Sequence, residues 1–148
     1  MPIDQYPSTF DHLVATELPT LLSQLKISKQ NPVPMADFAL EGVGVKALVR
    51  RLGLTADFSG CCLLLDGTRP CYVGISKGVI KRLRQHVRGA THLDASLAYR
   101  IATQRMPHQH TRSRAMEQEE FKTHFDASKD YIRQLSVAYV RVNNPLVL

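Results

Sequence analysis

The chain has no tryptophan, only three cysteines, and no apolar run approaching the length of a membrane span. The cysteines, Cys61, Cys62 and Cys71, are odd in number, two of them adjacent, and none lies at CxxC spacing. That excludes a disulfide framework and a thiolate zinc site, and the three read as small buried residues in a reducing compartment. The opening MPIDQYPSTF lacks the basic start and apolar stretch of a secretory signal, so a cytoplasmic protein is expected. Acidic residues are scarce in the middle of the chain. Between Gly67 and Met116 stand ten Lys or Arg and one acid, Asp94, whereas the flanks hold nine bases and twelve acids. The net charge of +6 is therefore concentrated in a central block, the footprint of a surface that meets a polyanion.

What is present fits a globular protein: 148 residues, 44% apolar and 22% charged, with no internal repeat or low-complexity tract. The expected organisation is an N-terminal helical extension over 1–55 and a second unit over 56–148. Leu13, Val14, Leu18, Leu21, Leu22 and Leu25 have helical spacing over Phe10–Leu25, with Pro19 as a break or second start. The prolines of QNPVP mark a linker. A second helical pattern over Met35–Leu52 is interrupted by Gly42 and Gly44, and Gly53 stops it.

The pattern changes at Gly60. Cys61 to Leu65 is a short apolar run, Asp66-Gly67-Thr68-Arg69-Pro70 is a turn sequence, and Cys71 to Ile75 follows as a second strand, so the pair reads as a hairpin. Val79–Arg88 is a helix by period. Val79, Ile80, Leu83 and Val87 share one arc, Lys81, Arg84 and Arg88 oppose it, and Arg82 and His86 flank it one turn apart, at the rim where a side chain leans over the sheet. Asp94 is the expected N-cap of a helix stopped by Pro107. His108 to Arg114 reads as a polar loop in which His108 and His110 are surface residues. Met116–Gln134 is helical again, and Ser136–Val142 alternates as a third strand. The fold class is α+β: a small, three-stranded, mainly antiparallel sheet flanked by helices.

Tyr72-Val73-Gly74, Ser76, Arg82 and His86 form the pattern YVG-x-S-x5-R-x3-H behind a Gly60-led strand and a turn. It resembles the second half of the signature of the GIY-YIG nuclease family, over about thirty residues, and Gly60 matches the glycine of the first half. The resemblance implies a DNA endonuclease dependent on a divalent metal, Mg²⁺ or Mn²⁺, with catalytic roles for three residues. Tyr72 acts as base or orients the attacking water, His86 helps, and Arg82 clamps the scissile phosphate with its donor fork. Ser76, Lys77, Lys81, Arg84, Arg88 and Arg100 are the expected DNA-binding residues, Ser76 serving equally as a turn residue. The sequence departs from the family twice. Cys62 stands where the first half-motif has tyrosine, and it should share a face with Leu64 and Tyr72. The family's metal-binding glutamate follows the third strand, and none is found there; Glu117, Glu119 and Glu120 all precede it. The resemblance thus leaves open a shortened form of a longer enzyme, a form that binds DNA without cutting, and a site completed by a homodimer or other partner.

Overall fold

A computed structural model describes residues 5–148, so the first four residues of the leader reading lie outside the described part. Helix α1 (10–30) is α-helical over Phe10–His12, widens to a π turn over Leu13–Glu17 and is α-helical again over Leu18–Gln30. The wide turn ends just before Pro19, whose ring and missing N–H a regular α-turn would not accommodate. Strand β1 (Val33–Pro34) and a 3₁₀ turn (Met35–Ala39) lead to α2 (Val45–Arg51), and β2 (Gly60–Asp66) and β3 (Arg69–Ser76) form the hairpin. There follow α3 (Val79–Arg88), α4 (Ser96–Arg105), α5 (Arg112–Glu117), α6 (Glu119–Arg133) and β4 (Ser136–Arg141).

The sheet is four-stranded, in the order β1-β4-β2-β3, and every neighbouring pair is antiparallel. The fourth strand corrects the linker reading: Val33 and Pro34 pair with Val137 and Ser136. A proline is tolerated there because β1 is an edge strand of two residues. Beyond β1 the edge of β4 is covered by α1, whose Ser28 Oγ accepts from the Tyr139 N–H at 3.2 Å. The hairpin loop is shorter than the turn sequence suggests, because Asp66 already pairs with Arg69. Gly67, at φ 62°, takes the first loop position, where a two-residue hairpin needs positive φ. A bulge follows: Leu64 pairs with Tyr72 but Leu65 with Pro70, leaving Cys71 as the extra residue.

One sheet face carries Cys62, Leu64 and Val137 into the main core, where Ile80, Leu83 and Val87 of α3 meet Phe121, Phe125 and Ile132 of α6. Met35, Phe38, Leu48 and Val49 belong to the same core, so the segment after α1 is built into it. The other face, with Leu63, Leu65 and Ala138, is covered by Leu25 of α1. Of the cysteines only Cys62 is buried; Cys61 is half-buried and Cys71, displaced by the bulge, is exposed, and all three are free.

Helix α3 has the expected bounds, and its four apolar residues are buried. Its start is set from afar. The Asp57 carboxylate accepts from the N–H groups of Ile80 at 2.8 Å and Lys81 at 3.0 Å, and from Phe58 at 2.8 Å, so it caps a helix that begins twenty-two residues later in sequence. The far end of α3 is closed by α6: Arg133 donates to the Val87 carbonyl at 2.8 Å and Lys129 to that of Gly89 at 3.1 Å. Asp94 is not the cap of α4. That helix starts at Ser96 behind Ala95, with no side-chain cap, and the Asp94 carbonyl is instead an acceptor for Arg82. The single helix expected over Met116–Gln134 is divided at Gln118 into α5 and α6.

Candidate active site and nucleic-acid interface

Two glycines decide what meets on the inner sheet face. At Gly60 a Cβ would lie 2.1 Å from the Val140 carbonyl oxygen, so only glycine lets β4 approach the start of β2. At Gly74 a Cβ would lie 3.0 Å from Cε1 and 3.4 Å from Oη of Tyr72, and 3.3 Å from the Cys62 sulfur. The missing side chain is the space over which the Tyr72 ring lies, two residues along the same strand face. Cys62 does share that face with Leu64 and Tyr72, as the register required.

Behind Tyr72 stands His86. Their rings meet edge to face with centroids 5.8 Å apart. His86 is 1% exposed, which places it in the core and corrects the rim position expected for it. The reason is the closeness of α3 to Tyr72: the arc facing the sheet is wide enough to take His86 with Leu83 and Val87. Its Nδ1 is fully buried and has no hydrogen-bond partner. Burial, reinforced by the positive charge of Arg82, lowers its pKa to about 4, so the imidazole is neutral at physiological pH. Burial, with the neighbouring Cys61 adding to it, likewise pushes the Cys62 thiol up to about 11, against the opposing pull of the Gly74 backbone and Arg82. Cys62 is therefore a protonated, non-nucleophilic filler beside the tyrosine.

Arg82 is half-buried and engaged. One terminal nitrogen donates to the Asp94 carbonyl at 3.2 Å and to Gln85 Oε1 at 3.3 Å, and the other to Ser96 Oγ. Three of its five donors are thus committed to the loop before α4, which fixes the guanidinium and leaves two donors for a ligand. Arg84 donates from Nε to the Val43 carbonyl at 3.1 Å, so it braces the N-terminal segment while its terminal nitrogens make no hydrogen bond among the described residues. Ser76 Oγ bonds to Gly78 N and O at 3.1 Å, which makes it a turn residue. Lys77, Lys81, Arg88 and Arg100 are exposed.

On its open side Tyr72 borders a hollow of about 420 Å³ between the hairpin, α4 and the end of α6. Leu64 and Leu135 line it, with Tyr131 opposite and Arg100 and Arg105 from α4. Arg105 also lies over the Tyr131 ring at 5.8 Å, and Tyr131 donates to Asp66 at 3.1 Å. Arg105 and Tyr131 were not among the sequence candidates. The signal was present in α4, where Leu97, Arg100, Ile101, Gln104 and Arg105 recur at i, i+3, i+4, i+7 and i+8 and form one face. Asp57 carried no local signal at all.

The expected divalent metal can be tested against these residues. Among the described residues no three His, Cys, Asp or Glu side chains converge to hold one. Both Asp57 oxygens are occupied by backbone N–H groups, and Asp66 is engaged by Tyr131. Glu119 and Glu120 line a different hollow, beside His108 and His110. There His108 accepts the His110 N–H on Nδ1 at 3.1 Å and meets Tyr99 Oη through Nε2 at 3.0 Å, so it pins a loop. No carboxylate is among the described residues that line the hollow beside Tyr72. In comparisons with known proteins, the chain matches no protein-family model, no curated protein and no solved structure.

Proposed function

We propose that this chain is a GIY-YIG-type nuclease domain that binds DNA through its basic central block and presents Tyr72 to a phosphodiester. The observation that carries the reading is the placement of Tyr72. Its ring lies over Gly74, rests against a neutral His86, and opens on a hollow lined by two arginines. A phenol held this way is fixed in direction and can orient a water for in-line attack. A neutral His86 behind it adds no positive charge at physiological pH and supports the phenol by ring packing. Arg82, braced by three hydrogen bonds, offers its two remaining donors to a phosphate oxygen and offsets charge developing there. The sheet order, with the hairpin strand β2 between β3 and β4, is compatible with this family assignment.

Two observations favour a second reading, a GIY-YIG-like module that binds DNA without cutting it. Cys62 replaces a second tyrosine, and no metal-binding cluster is found among the described residues. A plasmid-nicking assay with and without Mg²⁺ or Mn²⁺ separates the two. The first reading expects metal-dependent nicks, lost in both Tyr72→Phe and Arg82→Ala, with DNA affinity reduced only modestly. Retained DNA binding with no nicks under either metal establishes the second. Absence of DNA binding at physiological salt eliminates both.

A further inference from the structure

We infer that the hollow beside Tyr72 is a subsite for a single unstacked nucleobase, so that the preferred partner is DNA carrying an unpaired nucleotide and not an uninterrupted duplex. This rests on the DNA-binding reading above and adds the class of DNA. The hollow's volume of about 420 Å³ lies within the range of small-molecule binding sites. Its composition is that of a base site. The floor is apolar, with Leu64 fully buried and Leu135 4% exposed, and two phenol rings, Tyr72 and Tyr131, form part of the wall. Aromatic faces beside an apolar floor favour the faces of a base, and every base has such a face.

The charges point the same way. Arg100 and Arg105 are both exposed and both line the hollow, one helical turn and a step apart on α4. A nucleotide seated in the hollow carries a phosphate on each side of its sugar, and the two exposed cations that line it match that pair. Asp66, which borders Tyr131 and Arg69, is occupied by the Tyr131 hydroxyl at 3.1 Å and an ion pair with Arg69 at 3.7 Å. A duplex cannot fill this space without giving up a stacked pair, whereas a bulged nucleotide is already free to turn outward. Because Tyr72 belongs both to this wall and to the candidate active site, a base held here would set the adjoining phosphodiester close to Tyr72.

The test measures binding by fluorescence anisotropy, without divalent metal, using the full chain and three duplexes of one sequence. The first is uninterrupted, the second has one bulged nucleotide, and the third has an abasic bulge at the same place. The expected result is that the bulged base binds about fivefold or more tightly than the abasic bulge. Tyr131→Ala should abolish that preference, and Tyr131→Phe should keep it. Equal affinity for base and abasic bulges, with binding intact, overturns the subsite while leaving the DNA-binding reading in place. Failure to bind any of the three overturns that reading as well. Should Tyr131→Ala lose its circular dichroism signature of folding, Arg100→Ala with Arg105→Ala replaces two exposed side chains. That pair must weaken binding to the bulged duplex more than to the uninterrupted one, and an equal effect on both overturns the proposal.

Discussion

His86 illustrates how one residue ties stability to the site. It is an imidazole with a buried, unpartnered nitrogen, held neutral by burial and by Arg82. Its folded pKa of about 4 lies below the ordinary 6.5, so on acidification the unfolded chain takes up the proton first. The stabilisation from keeping it neutral is complete above pH 6.5 and is lost as pH falls from 6.5 towards 4, by an amount on the order of 3 kcal/mol. In thermal melts at pH 7.5 and 5, wild type should therefore lose more stability on acidification than His86→Leu. Equal losses in the two would remove the basis for treating His86 as a buried neutral group. The type and spacing of Tyr72, Arg82 and His86 were legible in the sequence. The depth of His86 was not, because helical period gives direction around an axis and not distance from the sheet. The engagement of Arg84 with Val43, forty-one residues away, was hidden for the same reason.

At the scale of elements, α3 is the piece that presents Arg82 and His86, and its start depends on Asp57. Replacing Asp57 with alanine removes two backbone contacts at the helix N-terminus and a third to Phe58, and should cost about 1–2 kcal/mol. Urea denaturation measures this, and a change within a few tenths of a kcal/mol would show that the cap is dispensable. The bounds of α3 could be read from Val79, Ile80, Leu83 and Val87 because its apolar residues keep helical period over its whole length. The cap could not be read: Asp57 stands across the entire hairpin from the helix it caps. For α4 the reverse holds. Helical spacing points Leu97, Ala98, Ile101 and Ala102 inward, and all but the half-buried Ile101 are buried, but Asp94 resembled a cap and is not one, because the loop it occupies is organised around Arg82.

For the molecule as a whole, the surplus of cations is a testable quantity. Lys77, Lys81, Arg88, Arg100 and Arg105 are exposed, while Arg82 and Arg84 are half-buried and each bonds to a backbone carbonyl within the fold. If those five meet phosphates, the logarithm of DNA affinity should fall with the logarithm of salt concentration with a slope of about −4 to −5. Titrations across a salt series give the slope directly. A slope near zero would show that the central block does not face nucleic acid, whatever the net charge.

The sequence by itself determined the α+β class, the hairpin, the α3 helix and the concentration of charge. These follow from local period, turn chemistry and composition, which need no knowledge of what packs against what. Only the tertiary structure decided the rest. Val33 and Pro34 became a strand because β4 offers them an edge, a partner about a hundred residues away. Tyr72 and His86 came together, and Arg100, Arg105 and Tyr131 came to surround one hollow, because the sheet and three helices close on each other. Long-range packing fixes which charged side chains remain free and which are used as braces, and local pattern carries no record of that choice.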